Sequence, residues 1–244
     1  MITAGELHRR WRTLPIGTLD EVIGDGTCLI LAPHPDDESL GCGGLVAACC
    51  AASRPPVVAL LTDGGASHPG SRLYPPARLA DLRERELLDA VGILGLAPDR
   101  LMLLREPDGR APHEGAGFRA VVDRVVTCVR EHGCTSILAP WRFDPHCDHV
   151  AAALIATEVA RITGVRQVSY PVWGWTLADD AGVDEASVRG WRLTVGTHMP
   201  AKQRAIAAHA SQYGKVVTDD PVGFRLPEKL LRAMQQPWEV FLAP

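Results

Sequence analysis

Four times in succession a short apolar run is followed by a stretch whose apolar residues recur at helical spacing, and this alternation restricts the fold more than any other feature. The runs are TCLILAP (27–33), VVALLTDG (57–64), RLMLLRE (100–106) and TSILAPW (135–141). Each is short and mostly apolar, the pattern of a strand covered on both faces. The segments between and after them predict helices over about 37–52, 77–95, 118–133 and 148–164. Repeated strand–helix units argue for an α/β protein with a doubly wound, mostly parallel sheet and helices on both faces, a Rossmann-like arrangement. Two further strands are expected in RQVSYPVWGWT (166–176) and SVRGWRLTVGT (187–197), and a late helix over 201–214 before a proline-punctuated tail. No repeat, low-complexity linker or boundary interrupts the 244 residues, so one domain over 1–244 is the expectation.

Composition narrows the function. Hydrophobic residues make up 46% of the chain, enough for a sizeable core, and the net charge of −4 is scattered. No basic stripe of the kind that tracks nucleic-acid phosphates is present, and HRRWR (8–12) reads as a solvated helix start. No secretory signal is visible and no apolar run is long enough to span a membrane. The seven cysteines (28, 42, 49, 50, 128, 134, 147) lack a disulfide framework spacing, and Cys49 and Cys50 read as small core residues of a helix. Reduced thiols and a cytoplasmic location are expected. Nothing in the sequence speaks to oligomeric state.

The first apolar run ends in LAPHPDDESLGCGG (31–44), which presents an imidazole and three carboxylates directly after a buried strand. Charges beside a core are costly unless compensated, and a cation would compensate these. His146, Asp148 and His149 form an H-x-D-H cluster after the fourth run. Ligands of open α/β sheets bind outside the carboxyl ends of the strands, which puts both clusters on one rim. Two imidazoles and a carboxylate make an ordinary catalytic zinc shell with a position left for water. Helix caps and solvated loop charges would explain any one of these aspartates, but not both clusters together. The glycines of GCGG lack the G-x-G-x-x-G spacing and follow the acids, which argues against a nucleotide site. They suit close packing of the helix on the sheet.

PHPDDE with a downstream HCDH resembles the LmbE/PIG-L family of metal-dependent de-N-acetylases, whose pattern is HPDDE followed by HxxH or HxDH. LTDGGASH, RERELLDAVGILG and KQRAIAAHASQ resemble further blocks of the family in the same order, from about residue 27 to 213. The resemblance implies an LmbE-like fold with His34, Asp37 and His149 as metal ligands and Asp36 as the base that activates water and returns a proton to the departing amine. His146, as an imidazolium, is then expected to stabilise the tetrahedral oxyanion alongside the metal, with Asp148 orienting or charge-stabilising it. Spacing alone leaves the other wiring open, in which His146 is the third ligand and His149 the acid. The expected cofactor is Zn2+, with another divalent ion such as Fe2+ as the alternative.

Arg83, Asp108, His209 and Gln212 are the candidate substrate-binding residues. Each has a plain alternative, namely a solvated helix face for Arg83, a turn for Asp108 and packing for His209 and Gln212. His68 and His113 read as structural or exposed. Pro33 stands where the family places a small residue. The stretch RFDP precedes HxDH where some members carry a tyrosine, so that Asp144 is badly suited to an oxyanion site and Arg142 conceivable.

The function expected from all this is zinc-dependent hydrolysis that removes acetyl from an N-acetylated amino-sugar conjugate, most simply an N-acetylglucosaminyl derivative, by attack of water activated at the metal. The partner is then a small molecule. One alternative is amide hydrolysis on another sugar or thiol conjugate. Another is a metal-bearing sugar-binding protein without turnover, which the presence of both Asp36 and His146 disfavours. The loops expected to read the aglycone (64–77, 107–117 and 177–188) carry no interpretable motif.

Overall fold

The computed structural model describes residues 1–184 and 188–243. The chain enters through β1 (Ile2–Thr3), α1 (Ala4–Thr13), β2 (Ile16–Gly17) and α2 (Leu19–Ile23). The βα series follows: β3 (Thr27–Ala32), α3 (Asp37–Ala51), β4 (Val57–Thr62), α4 (Pro76–Ile93), β5 (Leu101–Glu106), α5 (Gly115–Glu131), β6 (Cys134–Pro140), α6 (Cys147–Thr163) and β7 (Arg166–Tyr170). The remaining elements are β8 (Gly182–Val183), β9 (Gly190–Thr194), α7 (Met199–Ala208), α8 (Glu228–Met234) and β10 (Trp238–Leu242).

Eight strands form one sheet in the order β2-β9-β10-β7-β6-β3-β4-β5, and β1 pairs with β8 apart from it. From β7 to β5 every neighbour is parallel, whereas β10 runs antiparallel to both β7 and β9. The chain moves outward from β3 to β5, then returns to lay β6 on the other side of β3. That reversal is the topological switch point of a doubly wound sheet, where ligands settle. The period of two along β3 divides the core. Cys28, Ile30 and Ala32 face one cluster with Leu40 and Leu45 of α3 and Leu87 of α4. Leu29 and Leu31 face the other, with Val121 and Val125 of α5 and Ile155 of α6.

The expected strands and helices of the βα series are present, with α5 starting a turn earlier than the spacing suggests. RQVSYPVWGWT is a strand only as far as Tyr170. Pro171, which has no N–H to give, follows, and Trp173–Thr176 close a 3-10 turn. The late helix stops at Ala208, because His209 leaves helical geometry and turns its ring onto Glu38. The tail is more structured than its prolines suggest, holding α8 and the inner strand β10. The solvated reading of HRRWR is corrected, since His8 and Trp11 of α1 are 3% and 0% exposed. Trp11 packs edge-on against Trp141 and Trp175, and only the arginine side of the helix meets water. Residue 187 of the expected β9 segment, and 185–187 of the loop 177–188, lie outside the described residues.

The GCGG glycines do permit close packing. A Cβ at Gly41 would stand 2.3 Å from the Tyr170 ring, and one at Gly44 would stand 2.5 Å from Val195. All seven cysteines are free thiols. Among the described residues no helix is long and apolar enough to cross a membrane.

Candidate active site

The sharp exit from β3 builds one half of the site. His34 and Pro35 lead to Asp36, whose φ of 148° lies in a region that L-residues rarely occupy. Such a conformation costs about 1–3 kcal/mol and persists only where its surroundings enforce it. The enforcement is visible. Glu38 Oε2 accepts from Asp36 N at 3.0 Å, and the Arg83 guanidinium donates to Pro35 O at 2.8 Å and to Asp36 Oδ2 at 3.2 Å. Asp37 and Glu38 occupy the first turn of α3, where the helix dipole favours negative charge.

The loop after β6 supplies the other half. His146 is the N-cap of α6, its Nδ1 accepting from Asp148 N at 3.2 Å. His34, His146 and His149 each offer a ring nitrogen within 4.8 Å of the others, and His34, Asp108 and Asp148 form a second such set. Asp37 Oδ2 lies 3.1 Å from both His34 Nδ1 and His149 Nε2. Those separations approach the edge, about 3.3 Å, of a tetrahedron drawn by ligand bonds of about 2 Å. His149 Nε2 is misaligned for a hydrogen bond with Asp37, so this buried nitrogen has no hydrogen-bond partner. An orphaned imidazole nitrogen among carboxylates, in an N/O donor set, fits a divalent metal.

The electrostatics agree with that fit. Burial alone would lower His34, but Asp108, Asp148 and Asp37 outweigh it and hold the imidazole well above its usual range. His149 is raised to about 9 by Asp37 and Asp144 against the same burial. Despite burial, the two imidazoles keep Asp37 far below the ordinary carboxylate range. Burial pushes Asp36 up to about 7, opposed by the Arg83 guanidinium. His146 goes the other way, lowered by burial and by the charge of His34 and His149. Five carboxylates crowd this rim (Asp36, Asp37, Asp108, Asp144, Asp148), and a cation relieves them.

Several expected roles change. The Asp148 carboxylate does not bond the His146 ring, which accepts the backbone N–H of Asp148 and feels the carboxylate through its charge. That carboxylate accepts from His34 Nε2 at 3.0 Å, Gly109 N at 2.7 Å and Ala111 N at 3.0 Å, so it fixes His34 and the 109–111 loop. Arg83, expected to grip substrate, is 2% exposed and spends its guanidinium on Asp36, Pro35 O and Gly64 O. His209 does not line the cavity. It is fully buried behind α3 with Nε2 2.9 Å from Glu38 Oε1. Gln212 and Asp108 do line it, and Gln212 Oε1 is buried without a partner. Asp144 does not face the cavity either. It accepts from His149 Nδ1 at 2.8 Å, from Trp173 N at 3.0 Å and from Gly174 N. Arg142 is exposed, its guanidinium 4.3 Å above the Phe143 ring. His68 is buried and His113 exposed. The positioning roles of Asp144 and Glu38 were not anticipated, because each acts on a residue in another loop or helix.

The two halves meet at a cavity of about 470 Å3, lined by His34, Asp36, Asp37, Arg83, Asp108 and His146 on its polar side. Residues 29–160 match the profile of the PIG-L family, described as GlcNAc-PI de-N-acetylase. The chain is 30% identical over 147 residues to the 2'-N-acetylparomamine deacetylase of Streptomyces fradiae, a match that covers 56% of this chain and 53% of that protein, about half its length. It is 28% identical over 195 residues to the "Probable N-acetyl-alpha-D-glucosaminyl L-malate deacetylase 2" of Bacillus anthracis, covering 78% of this chain and 83% of that one. In fold it is similar to the N,N'-diacetylchitobiose deacetylase of Pyrococcus horikoshii, with a TM-score of 0.60 and 19% identity over 84% of this chain and 76% of the other.

Proposed function

We propose, from the premise that the chain belongs to the PIG-L (GlcNAc-PI de-N-acetylase) family, that it is a metal-dependent hydrolase removing acetyl from an N-acetylated amino-sugar conjugate. An N-acetylglucosaminyl derivative is the simplest such substrate. One observation carries the reading: buried imidazoles and carboxylates converge on the floor of the cavity, with Asp36 strained beside them and its carboxyl poised at about 7.

His34, Asp37 and His149 are the residues proposed to hold the ion, and zinc is the ion proposed, although the same N/O set accepts Fe2+. A divalent ion there would lower the pKa of water and polarise the amide carbonyl. The remaining work falls to the chain. Asp36 takes the proton from the attacking water and returns it to the amine, a transfer suited to a carboxyl with a pKa near neutrality. Arg83 keeps Asp36 oriented and favours its ionised form. His146 Nδ1 accepts a backbone N–H, which leaves the ring proton on Nε2 for donation to the developing oxyanion. With Nδ1 occupied by that N–H, and with burial lowering its pKa, His146 is proposed as a neutral donor in place of the imidazolium expected. Asp108 and the unpartnered Gln212 Oε1 can accept hydrogen bonds from sugar hydroxyls at the wall.

The test is acetate release from a panel of N-acetylglucosamine conjugates, with and without chelator, by the native chain and by Asp36→Asn. Chelator-sensitive release that falls by about 100-fold or more in the variant is expected. Release that survives proven metal removal, or that Asp36→Asn leaves unchanged, sinks the assignment.

A further inference from the structure

The cavity changes character between floor and mouth. At the floor His34, Asp36 and Asp37 are 8%, 5% and 1% exposed. A second wall is apolar, formed by Trp173, Phe224 and Leu226; the Trp173 and Phe224 rings stand edge-to-face at 5.7 Å and are half-buried, and Leu226 is 7% exposed. The neighbouring backbone also exposes Val222 at 90% and, on the facing loop, Leu73 at 54%. An aromatic pair lining a cavity opposite a few convergent polar groups is the makeup of a small-molecule site.

This wall is held in place rather than draped. Asp219 accepts from Ser71 Oγ, Arg72 N and Leu73 N at 2.7, 2.8 and 2.9 Å, and Asp220 accepts from Gly70 N at 2.9 Å. Phe224 N donates to Ser67 O at 2.9 Å, and Leu226 N to Gln212 O at 2.8 Å. Gly223 permits the approach, since a Cβ there would stand 2.2 Å from the His68 ring. A preordered wall contributes to affinity because little is left to order on binding. Arg83 is the one guanidinium or ammonium among the described lining residues; its two terminal nitrogens donate to Gly64 O, Pro35 O and Asp36 Oδ2, and its Nε is buried without a partner. Trp173, Phe224 and Leu226 themselves offer an anionic group no counter-charge.

From this gradient we infer that the substrate's aglycone is an uncharged apolar group, aromatic or alkyl, seated on Trp173, Phe224 and Leu226. The inference rests on the deacetylase reading and deepens it. The scissile amide must reach His34, Asp36 and His146, so its acetyl methyl is confined to the polar floor. The part of the substrate farthest from the amide then lies at the mouth, against the apolar wall.

The experiment compares N-acetylglucosamine glycosides that share one acetamide and differ only in aglycone: methyl, phenyl, octyl and a carboxylate-bearing malyl group. The expected kcat/KM for the phenyl and octyl glycosides is about tenfold or more above the methyl glycoside, carried mainly by KM, with the malyl glycoside no better than methyl. Phe224→Ala should compress the phenyl-to-methyl ratio to below about threefold. Binding of the same glycosides to the metal-loaded Asp36→Asn protein, followed by calorimetry, reads the preference without turnover. A preference for phenyl and octyl in that binding supports the inference even if the native protein releases no acetate, an outcome that would overturn only the reaction. Equal binding of all four, or tightest binding of the malyl glycoside, overturns the inference. So does a gain on lengthening the N-acyl chain of the methyl glycoside instead, since the wall would then be an acyl pocket.

Discussion

The Asp144 carboxylate accepts a hydrogen bond from His149 Nδ1 at 2.8 Å, with both side chains wholly buried. This bond assigns the proton of the neutral imidazole to Nδ1 and leaves Nε2 as the lone-pair nitrogen facing Asp37. The same carboxylate receives the N–H groups of Trp173 and Gly174, so the ring is tied to the turn after β7. Weakening such an orienting partner usually costs 10–100-fold in metal affinity. Asp144→Asn should therefore bind zinc about 10–100-fold more weakly in competition with a chromogenic chelator. Unchanged affinity would remove His149 from the ligand set.

Arg83 lowers the pKa of Asp36, which burial has raised to about 7. Removing the guanidinium removes the opposing influence, so the carboxyl should hold its proton to higher pH. In Arg83→Met the acid limb of kcat/KM is expected to move upward relative to the native chain. Loss of rate without that displacement would mean that Arg83 acts only through the backbone of the 35–36 turn, whose Pro35 O it also holds.

Stability without metal should fall at alkaline pH. His149 has an ordinary pKa of 6.5 and is raised to about 9 in the fold. The folded state thus binds the proton more tightly, and its contribution is full below 6.5 and lost as pH rises through about 9. His34, also raised, acts in the same sense, and Asp36 does so at lower pH, between 3.8 and about 7. The lowered imidazoles of His8, His68 and His146 act below 6.5, and the raised thiols of Cys28, Cys42 and Cys50 above 9.0, which leaves the window to His149, His34 and His209, the last raised by Glu38 against its burial and acting alike with and without metal. The His149 displacement corresponds to at most about 3 kcal/mol, or roughly 5–10 °C in Tm for a chain of this size. Chelator-treated protein should lose Tm between pH 6.5 and 9, and zinc-loaded protein, whose ligand imidazoles have already released their protons, should lose less. A decline shared equally by both forms would rule this origin out.

The βα series could be read from the sequence because each of its strands is a nearly uninterrupted apolar run and each helix carries a periodic stripe. The placement of the two motifs on one rim followed from topology alone, since β3 and β6 flank the switch point. What escaped were features whose reason lies elsewhere in the chain. WEVFL does not read as an inner strand because Glu239 interrupts it, yet that carboxylate accepts from Gly44 N and Leu45 N across the fold. The arginines of HRRWR mask Trp11, which is wholly buried. No spacing between residues 34 and 148 encodes that the Asp148 carboxylate serves His34 rather than its neighbour His146.

Gly41 and Gly92 should respond oppositely to alanine. In a helix interior the exchange is worth up to about 1 kcal/mol in favour of alanine, and at Gly92 in α4 nothing lies within 4 Å of the new Cβ. At Gly41 in α3 the Cβ would meet Tyr170 Cδ2 at 2.3 Å. Tyr170 cannot swing away, being fully buried with its hydroxyl donating to Leu31 O at 2.9 Å. Overpacking of this kind costs about 1–3 kcal/mol, more than the propensity gain. Denaturant titration should place Gly92→Ala above the native chain and Gly41→Ala below it. A Gly41→Ala protein of native stability would show that α3 can shift at its N-terminus.

Lys202 and Glu239 form an ion pair at 2.7 Å with side chains 1% and 2% exposed, joining α7 to β10 behind α3. Two charges taken out of water attract strongly but lose their hydration, so the pair as a whole contributes little net stability. Breaking it is another matter. In Lys202→Met the Glu239 carboxylate would keep only the N–H donors of Gly44 and Leu45, and a buried charge left without its partner costs about 3–5 kcal/mol. In the double variant Lys202→Met, Glu239→Gln no charge is stranded, and the glutamine carbonyl can still accept one of the two N–H groups. The single variant should therefore be the less stable of the two, by about 1–3 kcal/mol in urea unfolding. If instead the double variant is as unstable as the single one, the loss comes from the bonds that Glu239 receives from Gly44 N and Leu45 N in the middle of α3, not from the uncompensated charge.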